Sequence, residues 1–176
     1  MEKHPLHKTV GELLKKFAKD KKFETRLDSA CGGDQLISLF SCSEKSRESR
    51  LCCVDAMLLK NNKVAVVIEI EESDIKPTQI CGKYLTTALS KEYNYADKES
   101  VSIEKESIDF IQILDTSELK QNSRKEKQFK NIEQAIKDNL CGCVKNYNII
   151  YIDWEDERED VLEKKMYDIL SLQLVK

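Results

Sequence analysis

Val10, Leu13, Leu14 and Phe17 recur at three- and four-residue intervals among lysines, a spacing that predicts an amphipathic helix over residues 8–20. The pattern then changes to that of strands. "QLISLFSC" (35–42) predicts a first strand and "LCCVDAMLL" (51–59) a second, with the polar "SEKSRESR" as the turn between them. "KNNK" turns the chain again into "VAVVIEIE" (64–71), rich in β-branched residues. Three strands with short links predict an antiparallel meander. Pro77 suits the first turn of a helix, where a missing amide hydrogen costs nothing. Ile80, Tyr84, Leu85 and Ala88 line one face of that helix, which should run to about residue 91. The stretch "YNYADKESVSIEKES" (93–107) is polar and loop-like. "IDFIQILD" (108–115) predicts a fourth strand, and Phe129, Ile132, Ile136 and Leu140 a third helix. "YNIIYID" (147–153) predicts a fifth strand, and Leu162, Met166, Ile169 and Gln173 a final helix. The order α-β-β-β-α-β-α-β-α has no internal repeat. Its alternation after the meander predicts an α/β fold with one mixed sheet flanked by helices.

Composition narrows this picture. A chain of 176 residues suits a single domain over 1–176 with a sizeable core. Only five glycines and two prolines argue against a long flexible linker. No run of about 18 apolar residues is available to span a membrane. The start, "MEKHPLHKTV", lacks the apolar stretch of a signal peptide, so a cytoplasmic location is expected. A net charge of −3 gives no global attraction to nucleic acid. Local clusters do exist: Lys15 to Lys22 and Leu119 to Lys130 are basic, Asp153 to Asp160 acidic, and solvated helix faces are their simplest reading. Seven cysteines, an odd number without a secretory signal, are expected to be reduced. Neither Cys52-Cys53 nor the Cys141 to Cys143 segment has the CxxC pairs or His partners of a common zinc site.

Asp55, Glu69 and Glu71 interrupt the strands that otherwise look most buried. Glu69 and Glu71 are two apart and share a face. The face of Asp55 depends on the turn. A three-residue loop, Asn61 to Lys63, pairs Lys60 with Val64 and sets Asp55 opposite Glu69. A two-residue Asn61-Asn62 turn pairs Asp55 with Ile68 and sends it to the other face. A shared site therefore needs an odd-length loop or a bulge. Facing carboxylates about 5 Å apart repel one another unless a cation intervenes. Mg²⁺ suits such an oxygen-rich group, and an ion held there can generate a hydroxide nucleophile and stabilise charge building on a phosphate. A solvated sheet edge would make the acids unremarkable, but Val64 to Ile70 is apolar on both faces and suits an interior strand. Gln79 and Lys83, four apart on the next helix, lie beside its apolar stripe. From there Lys83 can reach the carboxylates, to orient a water or contact a phosphate.

These residues resemble the PD-(D/E)XK nuclease superfamily: Asp55 on one strand, a hydrophobic strand ending in "EIE", then a helix carrying Gln79 and Lys83. The α-β-β-β-α-β order over about residues 8–115 is similar to the restriction-endonuclease-like core, with 116–176 as a C-terminal extension. The resemblance implies Mg²⁺-dependent hydrolysis of phosphodiester bonds in DNA, with Mn²⁺ as a substitute ion. It implies Asp55, Glu69 and the Ile70 carbonyl as metal ligands. Glu71 stands where the superfamily usually has lysine, as in the Glu-x-Glu variant of some type II restriction endonucleases. The general base is then Glu71, or Lys83 acting from the helix. Glu12 on the first helix is the candidate for an additional acid. Nuclease cores of this size often act as homodimers. Lys120, Arg124, Lys125, Lys127 and Lys130 form the candidate phosphate-contacting surface. The departure at Glu71 also admits a catalytically silent member of the same fold, serving as a binding module.

Overall fold

The computed structural model describes residues 4–95, 100–119 and 124–174. Helix α1 (Pro5–Lys21) opens with proline in its first turn and buries Leu6, Val10, Leu13, Leu14 and Phe17 along one stripe. Gly11 lets this helix closely approach the loop at 28–33, since a Cβ there would stand 2.0 Å from the Cys31 carbonyl oxygen. A short strand follows α1, β1 (Glu24–Leu27), and then β2 (Ile37–Phe40).

The segment 51–59, expected as one strand, divides at Asp55 into β3 (Arg50–Val54) and β4 (Ala56–Lys60). Next come β5 (Lys63–Glu71), α2 (Pro77–Ala88), β6 (Glu92–Tyr95), β7 (Val101–Ser102) and β8 (Ile108–Asp115). The chain continues through α3 (Arg124–Lys137), β9 (Val144–Ile152) and α4 (Glu159–Leu174). Among the described residues the strands form two sheets, one ordered β1-β4-β5-β8-β9 and the other β3-β2-β6-β7. In the first, β1, β4 and β5 pair antiparallel while β5, β8 and β9 run parallel. The result is a single-domain α/β protein with its sheets flanked by helices, as the alternation of elements implies. A mixed five-stranded sheet and a separate antiparallel four-stranded sheet stand in place of the one mixed sheet expected.

Three details differ from the sequence-based expectation. The meander is spread over two sheets, because Asp55 breaks the strand and the chain changes sheets there. Strand β1, with its mixed polar sequence, carries no period-2 signal, and it is β1 rather than β2 that pairs with β4. The polar segment after α2 contributes β6, which pairs with β2, and β7, which pairs with β6, so that backbone pairing overrides weak side-chain patterning.

Apolar side chains fill both faces of the five-stranded sheet. Ala56, Leu58, Val66, Ile68, Ile70, Ile111 and Ile113 pack against α1 and α4. Met57, Leu59, Val64, Val67, Phe110 and Leu114 pack on the other face with α2, α3 and the second sheet. Strand β5 is thus buried on both sides, which explains why it reads as a continuous apolar run. Truncating Ile68, 1% exposed, to alanine should cost about 2–5 kcal/mol.

Candidate functional site

The turn between β4 and β5 has two residues, Asn61 and Asn62, both with positive φ (53° and 61°), the conformation that joins tightly twisted hairpin strands. Taken alone, that turn would send Asp55 to the wrong face. Val66 nevertheless pairs with Leu58 while Val64 pairs with Leu59, so Ala65 is an extra residue, a bulge. The bulge moves the register by one. Ala56 then pairs with Ile68, and Asp55 comes opposite Glu69. It also explains why Val64 and Val67, three apart, share one core face.

Glu69 and Glu71 point to the face covered by α2, and Lys83 reaches them from that helix. Its Nζ lies 2.9 Å from both Glu69 Oε2 and Glu71 Oε1, and 4.0 Å from Asp55 Oδ2. Asp55 Oδ2 also accepts a 2.7 Å hydrogen bond from the Ile70 amide. Because Asp55 sits where β3 gives way to β4, its carboxylate takes up a backbone donor near the end of β5. Three carboxylates and one ammonium thus meet at the place where the chain switches sheets.

The group is largely enclosed. The side chain of Glu69 is 1% exposed, that of Lys83 30%. Burial raises the Glu69 carboxyl well above the usual range, the negative charge of Asp55 raises it further, and Lys83 opposes both. Burial works to lower the Lys83 ammonium, but Glu69 and Asp55 outweigh it, so this lysine is held firmly protonated. Glu69 Oε1 is buried with no hydrogen-bond partner. The Cys52 thiol offers no nucleophile near neutral pH: burial, with a contribution from the Glu69 charge, pushes it up to about 11.

The remaining expected site residues are placed as follows. Gln79 accepts a 2.7 Å hydrogen bond from the Lys76 amide, capping α2 and leaving Lys83 as the residue that α2 turns to the acids. Glu12 is exposed, on the side of α1 away from the sheet. What α1 presents to the group is His7, whose Nε2 stands 3.8 Å from Asp55 Oδ2. His7 Nδ1 lies 2.8 Å from Glu72 Oε1, and His4 Nδ1 3.4 Å from Glu72 Oε2. The spacing of His4 and His7, one helical turn apart, was the available sequence signal for this neighbour. Arg124, Lys127 and Lys130 are exposed on α3, with Lys130 paired to Glu126 at 2.6 Å and Lys125 6.0 Å from the Phe129 ring centre. Lys120 lies outside the described residues.

A cavity of about 420 Å³ lined by Arg26, Tyr93, Tyr95 and Ser102 is separate from the acids, and none of the described residues in its wall is a carboxylate. All seven cysteines have free thiols. No helix among the described residues is long and apolar enough to cross a membrane. Comparisons of the chain with protein-family models, with curated proteins and with solved structures find no match.

Proposed function

We propose that this chain is a metal-dependent endonuclease that hydrolyses phosphodiester bonds in DNA, similar to a type II restriction endonuclease. The observation that carries the reading is the convergence of Asp55, Glu69, Glu71 and Lys83, drawn from three parts of the fold to one point beside the interior strand. The order of elements also supports it. With the second sheet set aside, α1, β1, β4, β5, α2 and β8 follow one another in the α-β-β-β-α-β order that the resemblance implies.

The donors suit a hard divalent cation, being oxygens in negative excess, with one carboxylate oxygen of Glu69 lacking a partner. Asp55, Glu69 and the Ile70 carbonyl would hold Mg²⁺ or Mn²⁺, which would supply a nucleophilic hydroxide and charge stabilisation at the phosphate. The chain's own groups do the rest. Glu71, beside Lys83, is placed to accept a proton from the attacking water or to orient it. Lys83, on a flexible four-carbon stem, can leave Glu69 to meet a phosphate oxygen while keeping its charge. Because β5 and β8 are parallel, Glu71 and Asp115 close their strands at the same end of the sheet, and the exposed Arg124 and Lys127 of α3 would serve as the contacts to a bound backbone. A homodimer cutting one strand with each copy belongs to the same proposal.

The test is cleavage of supercoiled plasmid in Mg²⁺ or Mn²⁺ by the wild type and by Glu69→Ala. Nicking that requires the ion and disappears in the variant supports the reading, and an inert wild type in both ions defeats it. One observation favours a second reading, a catalytically silent binding module: Lys83, within 2.9 Å of two of the acids, already offsets part of their charge. In that case the wild type binds DNA without cutting it.

A further inference from the structure

His4, His7 and Glu72 meet at the edge of the carboxylate group but take no part in the chemistry just described. We infer that these three side chains form a second metal site, selective for a borderline transition-metal ion such as Zn²⁺ and distinct from the oxygen-rich group at Asp55 and Glu69. One nitrogen from each imidazole and one oxygen of Glu72 lie within 4.8 Å of one another. Ligands about 2 Å from a tetrahedral ion stand about 3–3.5 Å apart, and each imidazole meets its own oxygen of Glu72 near that spacing, His7 Nδ1 at 2.8 Å from Oε1 and His4 Nδ1 at 3.4 Å from Oε2. Two imidazoles with one carboxylate favour zinc over magnesium, which prefers oxygen alone.

The environment of His7 is the independent observation. Its ring is 10% exposed and faces a carboxylate from each nitrogen, Nδ1 towards Glu72 and Nε2 towards Asp55. A neutral imidazole has one N–H and one lone pair, so it can donate to one of these acceptors and not to both. An ion on Nδ1, with the N–H on Nε2 directed at Asp55, suits both sides of the ring. That is the usual arrangement of a metal-bound histidine backed by a carboxylate. His4, half exposed at the tip of α1, leaves the site open to solvent on one side. Three protein ligands and an open position match a site that can take up water or a further ligand. The inference stands apart from the nuclease reading, and either can fail without the other.

The experiment is calorimetric titration of the untagged full chain with Zn²⁺, and separately with Mg²⁺. His4→Ala and Glu72→Gln are each expected to weaken Zn²⁺ binding at least about tenfold, whereas Glu69→Gln should leave it unchanged. Co²⁺ in place of Zn²⁺ should give a spectrum without a thiolate charge-transfer band. The proposal is overturned if Zn²⁺ affinity survives both His4→Ala and Glu72→Gln, if it is lost in Glu69→Gln, or if Co²⁺ shows thiolate ligation. Should Glu72→Gln disturb folding by circular dichroism, His4→Gln at its half-exposed position keeps the test decisive.

Discussion

Glu69 and Asp109 are both buried acids on the adjacent parallel strands β5 and β8, yet their surroundings differ in kind. Asp109 accepts a 2.6 Å hydrogen bond from Asn146 and has Lys145 at 3.5 Å, one acid facing one amide and one ammonium. Burial raises its carboxyl, and both neighbours pull it back. Around Glu69, burial is compounded by the charge of Asp55, and a single lysine serves three carboxylates. Burial alone therefore does not mark a functional acid. Like charges crowded together, with more of them than their counter-ion can neutralise, are what an added cation would relieve.

The sharpest way to break this comparison is to remove each lysine. Lys83→Met leaves enclosed carboxylates without their counter-ion and should lower the stability of the metal-free protein by about 3–5 kcal/mol. Lys145→Met leaves Asp109 its hydrogen bond from Asn146 and should cost less, about 1–2 kcal/mol. Urea denaturation at pH 8 measures both, and equal losses would mean that the two acids are held alike.

Divalent ions give the next largest contrast. Mg²⁺ at about 100 times its dissociation constant should stabilise the wild type by about 2.7 kcal/mol. The gain should vanish in Glu69→Gln and persist in Asp109→Asn, as read by thermal unfolding with and without EDTA. A gain that survives in Glu69→Gln would place the ion elsewhere.

The acids also differ in pH dependence. A carboxyl raised above its ordinary value of 4.5 leaves the folded state holding more protons than the unfolded one. The stability associated with Glu69 therefore falls as pH climbs from about 4.5 through its raised folded value. Glu69→Gln should remove that decline and raise the metal-free Tm at pH 8, by about 2–4 °C for each kcal/mol recovered. Asp109→Asn should shift it less. A melting series across pH for the three proteins checks the sign.

The smallest effect belongs to α3. Replacing Arg124 or Lys127 by glutamine should weaken DNA binding uniformly across sequences and reduce the slope of log affinity against log salt by about one per residue. An unchanged slope by fluorescence anisotropy would remove α3 from the interface.

Much of the fold was legible because long buried elements leave a periodic trace. Strand β8 falls at 108–115 as expected, and β5 reads as an interior strand because both its faces are apolar. The helices form where their apolar stripes lie, but Leu85 of α2 is exposed and Leu140 falls beyond the end of α3. Short strands such as β1 and β7 leave no such trace, since backbone pairing holds them more than side-chain pattern. In the candidate site, Glu69 and Glu71 share a face by the period of a strand, and Lys83 follows from helical spacing. His7 was missed because its importance comes from contacts with Asp55 and Glu72, far away in the chain.

The sequence by itself determined which residues carry charge within apolar strands, and so that Glu69 and Glu71 must face the same way. It left the partner of Asp55 open between two registers. The tertiary structure decided that point in a way neither turn length alone would give, with a two-residue turn followed by a bulge at Ala65. The physical reason is that a bulge is a compromise between pairings on the strand's two edges and the packing of its two faces. Those constraints come from β4, β8, α1 and α2 together, and no local stretch of sequence contains them all.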